Sequence, residues 1–301
     1  MTDFRCAVAS RERGDELAGT ASTVRSYLLL EHAGPWGADA LRDARLPYGL
    51  GVHLREVAGR HRVRVLLVRR PGRRAGAGDG GVRLFACRAA GPESWTETTL
   101  LNELNDVRDL DLAPLGAGRS LGLEPHAAPL LAVCTHGRHD ACCAELGRPA
   151  ALALARGPHA EDVWETSHIG GDRFAGNLVV LPRGLYYGAL DATSAVAVAD
   201  ATAAGEVLLD HLRGRSDLPM GAQAADVALR RALGVTGLDD VLARSVRVDG
   251  DLTTSRFDVA GHGAREVVVR RVVGDTAHQL TCSARRDNPV PRHEVLEVRE
   301  A

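Results

Sequence analysis

Apolar positions along this chain fall into short blocks separated by glycine, proline and charged residues. Residues 26–33 form an apolar run broken by Gly34-Pro35-Trp36-Gly37, which reads as a strand followed by a turn. Residues 50–59 have apolar positions compatible with a short helix. Residues 63–68, 82–87 and 95–100 read as strands, the first with little alternation and so buried on both faces. Residues 101–110 read as a helix. The predicted order is β-α-β-β-β-α. After a spacer rich in Pro and Gly (114–125), the order returns: strand 130–134, helix 142–155, strands 163–166, 178–181 and 186–190, and a helix over 193–212 stopped by Gly214. The remainder differs. A helix over 222–233 precedes strand-like runs at 245–248, 255–259, 266–273, 278–282 and 294–298, with Arg270-Arg271 marking an exposed face. The pattern predicts an α/β protein with two similar units in tandem, residues 1–122 and 123–214, and a small α+β unit over 215–301.

Composition narrows the functional classes. The chain has 301 residues, 45% hydrophobic and 25% charged, with a net charge of −2, which describes a globular protein with ample core and no basic footprint for nucleic acid. No apolar run approaches the ~20 residues of a membrane span, and the N-terminus lacks the apolar stretch of a signal peptide. All 37 basic residues are arginine. The absence of lysine excludes Schiff-base chemistry, a P-loop and a kinase site. Gly76-Ala-Gly-Asp-Gly-Gly81 fits GxGxxG in form, but a strand rather than a helix follows, so it reads as a hairpin loop. The six cysteines are Cys6, Cys87, Cys134, Cys142, Cys143 and Cys282. In a chain without an export signal they read as reduced thiols in the cytoplasm, available for metal or redox work.

Two segments carry the chemistry. Cys134-Thr-His-Gly-Arg-His-Asp-Ala-Cys142-Cys143 follows a buried strand, and its polar, turn-rich filling is not core sequence. Ser167-His168-Ile-Gly-Gly-Asp172-Arg-Phe-Ala-Gly-Asn177 adds an imidazole in a glycine-rich turn. Thiolate and imidazole are the donors that iron–sulfur clusters and zinc accept. Gly170 and Gly171 would allow a bulky cofactor to approach.

These motifs, together with Leu28-Leu-Leu-Glu-His-Ala-Gly-Pro-Trp-Gly37 and Leu212-Arg-Gly-Arg-Ser216, resemble the sucrase/ferredoxin-like proteins, which are thioredoxin-like ferredoxins. The order of elements is that of two thioredoxin-like units in tandem, and the resemblance makes the second a ferredoxin domain; Cys6 and Cys87 give the first too few thiols for a cofactor, so it reads as a structural or docking unit. The resemblance also implies a [2Fe-2S] cluster held by a C-x8-C motif and an H-x3-H motif. Residue by residue, Cys134 and Cys143 match the cysteines and His168 the first histidine, while Asp172 stands at the second histidine position. The fourth ligand is therefore open between Asp172 and Cys282, with His139 behind them. Cys142 is left to the core, and Cys6 and Cys87 belong to the first unit. His136, Arg138 and Asp140 fall in the loop around the cluster, with Arg138 placed to balance its charge. The implied activity is one-electron transfer between a reductase and an acceptor protein. The alternatives are a zinc-binding or cofactor-free interaction protein and a thiol oxidoreductase, the latter weakened by the lack of C-x-x-C after either first strand. No paired carboxylates suggest a glycosidase, and no G-x-S-x-G a serine hydrolase.

Overall fold

The computed structural model describes residues 4–72 and 80–301. In the first part of the chain, helix α1 (Cys6–Arg13) precedes strand β1 (Ser26–Glu31), the short helix α2 (Ala40–Asp43), helix α3 (Leu50–His61) and strands β2 (Val63–Arg69), β3 (Val82–Arg88) and β4 (Trp95–Leu101). A short helix α4 (Ala113–Gly116) and the two-residue strand β5 (Glu124–Pro125) complete it. The second part has β6 (Leu130–Cys134), α5 (Ala141–Leu154), β7 (Val163–Thr166), β8 (Leu178–Leu181), β9 (Leu185–Tyr187), α6 (Ala192–Ala203) and β10 (Leu212–Arg215). The last part has α7 (Met220–Leu233) and strands β11 (Val241–Asp249), β12 (Leu252–Val259), β13 (Gly263–His278) and β14 (Asn288–Glu300).

The α/β architecture expected from the pattern is present. One ten-stranded sheet runs β10-β9-β8-β6-β7-β2-β1-β3-β4-β5. Its two halves repeat one arrangement. β1 pairs parallel with β2 and antiparallel with β3, which pairs antiparallel with β4. Likewise β6 pairs parallel with β7 and antiparallel with β8, which pairs antiparallel with β9. The halves join where β2 meets β7 antiparallel, Val68 opposite Thr166 and Arg69 opposite Glu165. The Arg69 guanidinium lies 2.6 Å from the buried Glu165 carboxylate, which also accepts a hydrogen bond from Thr135 Oγ1 at 3.0 Å. The strap thus reaches the residue that follows Cys134.

The central strands are continuous apolar runs because both faces are covered. In β1, Leu28 and Leu30 pack with Leu50, Leu54 and Ala58 of α3. In β6, Leu131 and Val133 pack with Ala150, Ala151 and Leu154 of α5 and Val198 of α6. Tyr27 and Leu29 share the opposite face with Ala132 and Cys134 in a core that also takes in Cys6 of α1. A separate four-stranded sheet, β11-β12-β13-β14, packs against α7 through Leu229, Phe257, Val267 and Val269.

Four expectations are corrected. The helix over 101–110 is a 3-10 turn, Leu104–Asp109, followed by α4. Asn105, Asp106 and Asp109 favour local side-chain bonds over helix, and Asp106 Oδ2 accepts from the Glu103 N–H at 3.1 Å. The helix over 193–212 ends at Ala203, because Gly205 takes φ +76. Residues 212–215 are the edge strand β10, so Gly214 does not stop a helix. The runs at 266–273 and 278–282 are not two strands: β13 continues through Arg270-Arg271 to His278, and Cys282 lies in the loop before β14. Cys6 does not serve the first unit, since α1 lies against the second half, with Arg5 paired to Glu145 at 2.7 Å. The expected hairpin loop at Gly76–Gly81 falls mostly outside the described residues; the strand expected after it is β3.

Candidate metal centre

The site assembles where β6 ends. Asp140 caps α5, its Oδ1 accepting from the Cys142 N–H at 2.9 Å. The helix lies tight on the strand, for a Cβ on Gly147 would stand 2.0 Å from the Cys134 carbonyl oxygen. This close approach brings Cys143 in the first turn beside Cys134. The glycine-rich turn after β7 then carries His168 to both: the donor atoms of Cys134, Cys143 and His168 lie within 4.8 Å of one another. Asp172 completes the group, with Oδ1 accepting from Cys143 Sγ at 3.2 Å and lying 2.9 Å from His168 Nδ1. His168 Nδ1 is buried and pairs with the Asp172 carboxylate.

His139 joins from the cysteine loop. Its ring stacks on His168 at 3.8 Å, and its Nε2 lies 3.7 Å from Asp172 Oδ2. Its Nδ1 is 3.0 Å from the Ala38 carbonyl. A carbonyl only accepts, so Nδ1 donates, and Nε2 is the ring nitrogen that faces the site. His136 is fixed the same way: Nε2 donates to the Gly37 carbonyl at 2.9 Å, and Nδ1 accepts from the His168 N–H at 3.1 Å. The Gly-Pro-Trp-Gly segment of the first half therefore clamps the cysteine loop, with Trp36 edge-on to the His136 ring.

The electrostatics favour a charged donor set. Cys134 is held well below the usual thiol range by the Cys143 S–H, against burial and with help from His168. Cys143 is pushed up, because its proton is shared with Cys134. Burial opposes charge on His168, but Asp172 and Cys134 raise it from 6.5 to about 9. Burial likewise opposes charge on Asp172, and His168 and His139 hold it below the ordinary carboxylate value. A metal needs deprotonated thiols and a neutral imidazole, so binding would displace the protons of Cys143 and His168; the thiolate, imidazole and carboxylate donors themselves fit one.

Several predicted roles change. Arg138 is exposed; the buried cation beneath the site is Arg213, 1% exposed, which donates to the Gly170 carbonyl at 2.9 Å and Asn177 Oδ1 at 2.8 Å. Burial draws it down to about 10. Leu212-Arg-Gly-Arg-Ser216 was legible as a motif, but its register under the turn was not. Gly170 and Gly171 leave room for the protein rather than for a cofactor: a Cβ on Gly170 would meet Ser22 Oγ at 2.5 Å, and one on Gly171 the Arg213 guanidinium at 2.2 Å. Cys282, the rival for the fourth position, lies with a different group, its sulfur 3.5 Å from Cys142 Sγ. Cys142, in turn, does not simply fill the core. With Cys6, Cys282 and Asp140 it forms a second group of donors within 4.8 Å of one another, which the sequence reading missed.

A family model for sucrase/ferredoxin-like proteins matches residues 17–214, more than half of the chain. The chain belongs to the sucrase/ferredoxin-like family. The match spans both halves of the large sheet and ends within β10. No curated protein and no solved structure matches the chain. This family member carries a cysteine-rich, metal-capable site, and no helix among its described residues is long and apolar enough to cross a membrane.

Proposed function

We propose that this protein is a cytoplasmic electron carrier that holds a [2Fe-2S] cluster on a thioredoxin-like ferredoxin unit, residues 123–214, with residues 1–122 as a docking unit that holds no cluster. Cys134 and Cys143 would hold one iron, and His168 with Asp172 or His139 the other. The observation that carries this reading is the convergence of the Cys134, Cys143 and His168 donors at the end of β6 in a chain of this family. When bound, the cluster supplies a one-electron couple.

The chain's own residues do the rest. Cys134 and Cys143, each 1% exposed, keep the sulfurs dry. His168 and His139 put imidazole, rather than thiolate, on the open side, which removes negative charge and raises the potential. Arg213 adds fixed positive charge beneath. The imidazole pair borders a groove of about 270 Å³ lined also by Asp39, Arg55, Arg64 and His136, where a reductase and an acceptor protein would dock in turn. Arg64 donates to the His168 carbonyl at 3.0 Å, linking that groove to the ligand turn.

A second reading, a single zinc ion, is favoured by one observation: Asp172 supplies a carboxylate, an uncommon partner for a cluster but an ordinary zinc ligand. The visible spectrum of protein purified without oxygen, with iron and sulfide analysis, separates the two. A brown protein with equal iron and sulfide, lost in Cys134→Ala and His168→Ala, supports the carrier. A colourless protein holding zinc at these residues rejects it. Asp172→Ala and His139→Ala, compared for iron content and potential, then assign the fourth position.

A further inference from the structure

We propose that Cys6, Asp140, Cys142 and Cys282 form a second, independent metal site that holds one structural zinc ion.

The distances are those of a single tetrahedral ion. Cys142 Sγ lies 3.5 Å from Cys282 Sγ, and Cys282 Sγ lies 3.6 Å from Cys6 Sγ. Cys6 Sγ lies 3.5 Å from Asp140 Oδ2. Zinc–sulfur bonds of about 2.3 Å place neighbouring sulfurs of a tetrahedron about 3.8 Å apart. Thiolates on different irons of a cluster are spread further by the metal–metal separation, so this set fits one ion. Three thiolates with one carboxylate suit zinc among the divalent ions.

The donors are built in. Asp140 is anchored from two chain segments, accepting from the Cys142 N–H at 2.9 Å and the Cys282 N–H at 2.7 Å. Each carboxylate oxygen keeps a lone pair free. The Arg173 guanidinium interacts with Cys6, and the N-terminus of α5 adds positive dipole; both offset the negative charge of such a ligand set. Cys6 is fully buried, and Asp140 and Cys142 are 2% exposed. No open position is left for a substrate, which marks a structural site.

The ion would tie three segments that are remote in sequence: α1, the first turn of α5, and the loop between β13 and β14. Residues 6 and 140 are 134 apart, and 142 and 282 are 140 apart. Cys6 and Cys282 both lie outside residues 17–214, so the site reaches beyond the matched segment. Adjacent residues of a helix do not share a face, and Cys142 serves this site while Cys143 serves the other.

The test is zinc, iron and sulfide analysis of the full chain from zinc-supplemented growth, alongside Cys6→Ser and Cys282→Ser. Wild type should hold one zinc beyond any metal at Cys134. Each variant should lose more zinc affinity than the about 10–100-fold that outer partners cost, with visible absorption retained. If a variant fails to fold, cobalt substitution of wild type decides: thiolate-to-cobalt bands should appear and should compete with zinc. Wild type without zinc, unchanged zinc in both variants, or a disulfide among the three cysteines in the intact mass overturns the proposal. A colourless protein with two zinc ions, one lost in Cys134→Ser and the other in Cys282→Ser, would end the carrier reading and uphold this one.

Discussion

Two sulfur groups meet at the first turn of α5, and they were assembled in opposite ways. The group of Cys134, Cys143, His168 and Asp172 comes from a stretch within one half of the sheet, along a strand, a helix and a turn. The group of Cys6, Asp140, Cys142 and Cys282 draws on both ends of the chain. The first has two partly exposed imidazoles beside a groove; the second is closed by α1 and by the loop after β13. Both use an aspartate against cysteine, Asp172 at 3.2 Å from Cys143 and Asp140 at 3.5 Å from Cys6. On the readings proposed above, the difference separates a site placed for exchange with a partner from one placed to hold chain segments together.

The sharpest way to break this comparison is to exchange its adjacent members. Cys143→Ala should abolish the visible chromophore and its iron while leaving zinc. Cys142→Ala should do the reverse, losing zinc and keeping colour. Each loss should be near complete, because a buried metal that loses one of its thiolates is left with an unfilled position. Metal analysis and the visible spectrum of both variants check it; loss of both metals in either variant would mean that the two groups are one site.

The contiguous group was legible because its signal is local. Cys134 closes an apolar run, Cys143 opens a helix and His168 sits in a glycine turn, and the family resemblance grouped the three. The α/β order was legible for the same reason, since buried strands such as residues 130–134 announce themselves. The second group had no such signal. Cys6 reaches Asp140 only through the docking of α1, and Cys282 arrives because β13 runs on to His278 and turns back. These are tertiary facts with no period in the sequence. Arg213 was hidden likewise: its place under Gly171 depends on β10 being an edge strand rather than the end of a helix, and Gly205 decided that.

A smaller effect should come from Arg213. It supports the first group and does not touch the second. Arg213→Met removes the partners of the Gly170 carbonyl, Asn177 and Thr20 Oγ1. Each buried neutral acceptor left unpaired costs about 1–3 kcal/mol, seen as a fall in melting temperature. The iron potential should also fall, because a fixed positive charge is gone, while zinc content holds. An unchanged potential would deny Arg213 any electrostatic role.

The smallest effect isolates α1, which carries Cys6 of the second group and no donor of the first. Asp15 ends the segment after α1 and ties it down, accepting from Ser10 Oγ at 2.8 Å, meeting Arg13 at 2.8 Å and Arg173 at 3.3 Å. Burial opposes its charge, yet Arg13 and Ser10 hold it below the ordinary value of 3.8. A carboxylate lowered in the folded state stabilises above the unfolded value, and that stabilisation fades as pH falls through the folded one. Metal-free protein should therefore lose a few degrees of melting temperature as pH drops below about 4, at one to two hydrogen bonds' worth of stability. Asp15→Asn should melt a few degrees lower at neutral pH and lose that share of the acid dependence. In the metal-loaded protein, Asp15→Asn should speed zinc release to a chelator and leave the visible spectrum unchanged, because α1 carries Cys6 and no residue of the first group. If the chromophore were to bleach as fast as zinc departs, α1 would be holding both groups, and the division between an exchange site and a fastening site would not stand.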